Sequence, residues 1–129
     1  MSKLVPFVLV GLGGTVGSLL RYGFTLMLQR WAITIPCGTL TANLAGCFVI
    51  GIVTEGAARG GLITPNTRLL LATGFCGGLT TMSSFIYESG KFAQESEWFL
   101  GFLYFGGTLI GCMAAYVAAV ALVRVVIPQ

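Results

Sequence analysis

The chemically distinctive stretch of the sequence is Gly77-Gly78-Leu79-Thr80-Thr81-Met82-Ser83-Ser84-Phe85, two glycines followed by four hydroxyls in five positions. Each glycine costs a helix about 1 kcal/mol relative to alanine, and hydroxyl side chains can re-satisfy backbone groups that a break sets free. The carbonyls of such a break can hold a cation, while hydroxyls and helix N-termini can meet an anion. The same residue types also suit a Gly/Ser/Thr packing seam. Asn43 lies in an apolar run, where its amide must find partners or leave polar atoms unpaired, and an interhelical hydrogen bond is the simplest solution. Tyr104, Thr108 and Cys112 recur at i, i+4 and i+8, so one helix face presents phenol, hydroxyl and thiol over about 12 Å of axis. That face is a polar track if it meets the third apolar run and a packing face if it does not. Arg21 and Glu88 flank the uncharged cores and either serve function or snorkel to an interface. No nucleophile is paired with a base, no His/Cys/carboxylate cluster has metal-ligand spacing, and no phosphate loop precedes a lysine, which argues against an enzyme.

The elements that must position these groups follow from composition. Of 129 residues, 56% are apolar and only 9% charged, with neither Asp nor His. A water-soluble globule cannot clothe its surface from that supply. Uncharged runs extend over Leu4–Leu20, Trp31–Thr54, Leu69–Tyr87 and Trp98–Val123, the first lengthened by Tyr22–Leu28 beyond Arg21. A helix needs about 20 residues to cross a hydrocarbon core, so these runs predict four membrane spans in an all-α, single-domain unit over 1–129. Tyr22, Trp31, Tyr87 and Trp98 mark run ends, where amphipathic rings favour the membrane interface. The run after Lys3 is longer than a signal-peptide core and lacks an Ala-x-Ala site, so it is expected to stay in the mature chain. A turn at Thr34–Pro36, the segment Arg59–Asn66 and the polar stretch Ser89–Glu97 separate the runs.

Net charge is +3, but the basic residues are scattered singly, so no patch can grip a nucleic-acid backbone. Four spans put Lys3, Arg59, Arg68 and Arg124 on one side and Arg21, Arg30 and Lys91 on the other. A bias of four against three barely instructs orientation, so copies can insert both ways, and an antiparallel homodimer in membrane lipid is the simplest assembly. Gly13-x-x-x-Gly17, Gly74-x-x-x-Gly78 and Gly107-x-x-x-Gly111 allow close backbone approach and are read as packing devices, as is the stripe Phe99, Phe102 and Phe105. Cys37, Cys47, Cys76 and Cys112 show no paired spacing and are read as small, reduced core residues.

Gly14-Thr-Val-Gly-Ser-Leu-Leu-Arg21, Cys37-Gly-Thr-Leu-Thr-Ala-Asn43 and Thr73-Gly-Phe-Cys-Gly-Gly-Leu-Thr-Thr81 resemble the signatures of the Fluc/CrcB fluoride channels, across all four spans. The resemblance implies a dual-topology antiparallel homodimer in the bacterial inner membrane. It implies two fluoride pathways, a break in the third helix, and a structural sodium ion on the two-fold axis. By matching position, Gly77 and Thr80 would give carbonyls to the sodium, Asn43, Ser84, Phe85, Tyr104 and Thr108 would line the anion path, and Arg21 would serve its aqueous mouth. Glu88 matches a polar position near the path with no assigned role. The chain departs from the family at Met82, where the family usually has phenylalanine, and at Cys112, where a hydroxyl is commoner. The alternative is a proton-coupled small-molecule exporter resembling the small multidrug resistance family, but that chemistry wants a carboxylate in the first span, and here that span holds Arg21 and no acid.

Overall fold

The computed structural model describes residues 4–61 and 63–128, and all regular structure in them is helical. Helix α1 spans Leu4–Leu28 and α2 spans Cys37–Gly60. The third rod is composite: α3 (Pro65–Arg68), a π-helical segment (Leu69–Cys76), α4 (Gly77–Leu79) and α5 (Met82–Gln94). Helix α6 runs over Trp98–Val126. Counting the composite rod once, four helices are long and apolar enough to cross a membrane. Most of their large apolar side chains face outward, with Phe7, Phe99 and Phe102 each more than three-quarters exposed. Water would not tolerate so wide an apolar surface, whereas hydrocarbon does.

Span boundaries differ from those the charge spacing predicts, each for a local reason. Trp31–Pro36 is turn rather than helix, entered through Trp31 N–H donating to Leu28 O at 2.9 Å, and α2 begins only at Cys37. Helix α2 then continues past Thr54 through Glu55 and Arg59, because Arg59 Nε lies 2.7 Å and Arg124 Nε 2.8 Å from the same Glu55 oxygen. Arg59 Nη1 also donates to Ile127 O at 3.3 Å, tying α2 to the end of α6. The polar stretch Ser89–Glu97 is helical as far as Gln94, with Ser89 Oγ donating to Phe85 O at 2.7 Å. Of the segment between the second and third spans, Gly61 closes α2 in the left-handed conformation (φ 59°) and Thr64 caps α3 by accepting from Thr67 N–H at 3.2 Å. Lys3 and Leu62 lie outside the described residues.

Glycines set the closest contacts. Gly13 and Gly17 of α1 face the π-helical segment and α4 so closely that a Cβ on Gly13 would collide with Leu70 O, and one on Gly17 with Phe75 O. Gly74 and Gly78 reciprocate: a Cβ on Gly74 would lie 2.9 Å from Val10 O, and one on Gly78 would strike Gly14 O. Two of the three glycine pairs therefore interlock backbone against backbone. The third does not do so within this chain, since a Cβ on Gly107 meets nothing within 4 Å, while one on Gly111 would come 3.0 Å from Leu44 Cδ2. Helix α6 packs along α2, from Leu44 beside Gly111 through Gly51 beside Tyr116 and Ala119 to Glu55 beside Arg124. Residue numbers rise together along both pairs, so α1 runs parallel to the third rod and α2 parallel to α6, placing the ends at Leu4, Gly60 and Val126 on one side.

Over-packing costs about 1–3 kcal/mol and more where backbone must move. Gly17→Val is therefore expected to abolish most monodisperse protein in detergent, while Gly11→Ala, at a position where a Cβ meets nothing within 4 Å, leaves the yield unchanged. Equal size-exclusion profiles for the two variants would contradict this packing.

Candidate functional site

Between α4 and α5 the helical ladder gives way to two extended residues, Thr80 (φ −79°, ψ 153°) and Thr81 (φ −148°, ψ 116°). Asn43 of α2 engages them edge-on: its Oδ1 accepts from Thr81 N–H at 2.8 Å, and its Nδ2 donates to Thr81 O at 3.3 Å. The amide thus stands in for a neighbouring peptide unit. In a continuous α-helix Thr81 N–H would go to Gly77 O and Ser84 N–H to Thr80 O. Here the first goes to Asn43, and the second to Thr81 Oγ1 at 3.2 Å, the cap of α5. The carbonyls of Gly77 and Thr80 are thereby released from the ladder. Backbone oxygens freed at an unwound helix are hard donors, of the type that contributes to sites for hard cations.

On one side of this segment lies a polar cavity of about 430 Å³, lined in part by Thr39, Ser84, Glu88 and Lys91. At its edge Glu88 is held from two sides, with Thr39 Oγ1 donating to Oε1 at 2.7 Å and Tyr104 OH donating to Oε2 at 2.6 Å. Tyr104 is 2% exposed, and its ring meets that of Phe85 at a centroid distance of 5.4 Å. Phe85, equally buried, stacks on Phe105 at 5.1 Å.

Phe85 also borders a second cavity, of about 370 Å³, whose wall includes Asn43, Gly77, Thr80, Met82, Thr108 and Cys112. Thr108 is 3% exposed, yet its Oγ1 has no hydrogen-bond partner among the described residues. An orphaned buried hydroxyl on a cavity wall is a donor and acceptor in want of a ligand. Tyr104 thus bridges Glu88 of the first cavity and Phe85 of the second, hydrogen-bonded to the one and packed on the other.

The residues singled out in the sequence fall into three groups. Asn43, Gly77, Thr80, Met82, Phe85, Thr108 and Cys112 meet around one cavity, and Ser84 and Glu88 border the other, with Tyr104 between them. The Tyr104 face does turn toward the third rod. Arg21 is not on the wall of either cavity; its Nε is buried without a partner among the described residues. Two participants escaped the sequence reading. Thr39 sits one helical turn before Asn43, a spacing that placed it on the same face, and Phe105 belongs to a stripe read as packing, although it stacks on Phe85.

Leaving a buried N–H unpaired costs about 1–3 kcal/mol, so Asn43→Ala is expected to lower the thermal midpoint of the purified protein more than Thr15→Ala, which removes one exposed hydroxyl bonded to Gly11 O within α1. A larger loss from Thr15→Ala would show that the clamp on Thr81 is not formed.

A family profile described as CrcB-like protein, Camphor Resistance (CrcB), matches residues 8–120. Curated relatives agree over nearly the whole length. A protein named fluoride-specific ion channel FluC from Chlorobium phaeobacteroides (strain DSM 266) is 41% identical over 115 residues, 89% of each chain. The protein of that name from Prosthecochloris aestuarii is 42% identical over 124 residues, 96% of this chain and 97% of its own. A third, from C. phaeobacteroides strain BS1, is 45% identical over 110 residues, 85% of this chain and 86% of its own. With four apolar spans and a profile match over most of its length, the chain belongs to the CrcB family, the family of the FluC ion channels and not one of enzymes.

Proposed function

We propose that this chain is a fluoride-selective channel that passively releases fluoride from the cytoplasm across the bacterial plasma membrane. The reading rests on the name its relatives share and, in this chain, on one observation: the Thr108 hydroxyl, unpartnered among the described residues, on the wall of a cavity whose Phe85 is bridged by Tyr104 to Glu88 of a second cavity. Fluoride is small and strongly hydrated, so a narrow pore must replace its water with donors that let go again. Asn43 has one amide proton beyond the bond to Thr81, Thr108 has its hydroxyl, and Phe85 offers the positive edge of a ring. Ser84 lines the polar cavity, where the Glu88 carboxylate faces any entering anion. Tyr104 and Thr39 hold that carboxyl by two hydrogen bonds and so restrain it from swinging into the path.

The pore is assigned to an antiparallel homodimer with two pathways, the third rod's extended pair at its centre. One chain releases two carbonyls, Gly77 and Thr80, and a second copy related by a two-fold axis would double the set for a structural sodium ion. When bound, that ion supplies a fixed positive charge that favours anion occupancy. Arg21, with its unsatisfied Nε, is assigned to the aqueous mouth on the side of the α1 C-terminus. The small differential in loop charge supports insertion in both orientations.

Efflux from liposomes under an imposed gradient, with the potential clamped, tests the reading. Fluoride is expected to leave rapidly, chloride to stay, and no proton gradient to be needed. Asn43→Asp, which puts an anionic carboxylate in the path, is expected to stop fluoride efflux while the dimer persists in detergent. Equal fluoride and chloride loss would overturn the selectivity, a requirement for a proton gradient would favour the exporter class, and unchanged flux in Asn43→Asp would remove Asn43 from the path.

A further inference from the structure

Three of the four cysteines converge on one place. Cys47 of α2, Cys76 at the end of the π-helical segment and Cys112 of α6 all line the cavity that holds the orphaned Thr108 hydroxyl. The helices that carry Cys47 and Cys112 approach closely at this level, where a Cβ on Gly111 would come 3.0 Å from Leu44 Cδ2, and Cys76 stands on the same cavity wall. Cys37 is elsewhere, at the start of α2, with its thiol directed at Trp31 O. Cysteines that only filled space would be expected to scatter through the helix contacts rather than share a cavity wall.

The chemistry of this cluster is specific. Thiolate is a soft ligand that selects soft cations over hard ones such as sodium or magnesium. Among the described residues no three His, Cys, Asp or Glu side chains gather tightly enough to enclose an ion. That excludes a tetrahedral zinc centre, which needs four ligands, and leaves the two-sulfur arrangement suited to linear coordination. We propose that Cys47 and Cys112 form a capture site for a soft, thiophilic cation such as Hg(II), inside the same cavity that the proposed fluoride path uses. On capture two S–H bonds break, two sulfur–metal bonds form and two protons pass to water, with no change of oxidation state. The bound metal stands one helical turn from Thr108 and obstructs the cavity, so the block of flux, unlike the capture itself, rests on the proposed path.

Reduced, purified protein is titrated with Hg(II), following the ultraviolet sulfur-to-mercury charge-transfer band and proton release, and fluoride efflux is measured in parallel. The band and the release of two protons per metal are expected in the native chain and in Cys37→Ser, and loss of the band in both Cys47→Ser and Cys112→Ser, with the alanine variants serving if a serine variant is poorly produced. Mercury is expected to remove most fluoride efflux from the native chain and to spare both single variants. A band that survives in either Cys47→Ser or Cys112→Ser overturns the site. A band that depends on both thiols, with efflux untouched, upholds the site and overturns the path through this cavity.

Discussion

The side-chain amide of Asn43 lies against the backbone of Thr81 and exchanges two hydrogen bonds with its N–H and C=O, and the shape of the third rod depends on that exchange. In hydrocarbon an extended residue cannot turn to water, so its backbone groups must be met by protein. Interhelical polar contacts in membranes contribute only about 1 kcal/mol each, whereas a buried N–H left alone costs about 1–3 kcal/mol. The clamp therefore acts chiefly by removing a penalty, making an otherwise prohibited conformation tolerable at Thr80 and Thr81.

What the clamp makes possible is a local inversion of backbone polarity. With Thr81 N–H directed to Asn43 and Ser84 N–H to the Thr81 hydroxyl, two carbonyls leave the ladder, and the first turn of α5 presents a capped N-terminus beside Phe85. The interlocked glycines of α1 and the third rod hold this segment rigidly from behind, because backbone-to-backbone contact leaves no side chain to yield. In front, Tyr104 bridges Glu88 on the wall of one cavity and Phe85 on the wall of another.

Much of this was legible in the residues. Four spans follow from charge spacing because an unpaired charge in hydrocarbon is costly, and the boundaries erred where charges are paired, as at Glu55 with Arg59 and Arg124. Asn43 could be recognised as needing partners, and the glycine and hydroxyl run as poor helix, since both are properties of residue type. That Asn43 and Thr81 satisfy each other is a property of packing and had no local signal. The same is true of the π-helical segment, which reads as an ordinary apolar run, and of Thr39, whose part emerges only when Glu88 is brought opposite it. Phe105 illustrates the limit of periodicity: spacing put it in line with the exposed Phe99 and Phe102, yet it alone of the three stacks on Phe85.

Amide hydrogen exchange at Thr81, followed residue by residue in the nitrogen-labelled protein in detergent micelles, bears most directly on the clamp. Thr81 N–H is expected to exchange slowly in the native chain and to become fast in Asn43→Ala while the amides of α2 and α6 stay protected. Fast exchange at Thr81 in the native chain, or protection indifferent to Asn43, would contradict it.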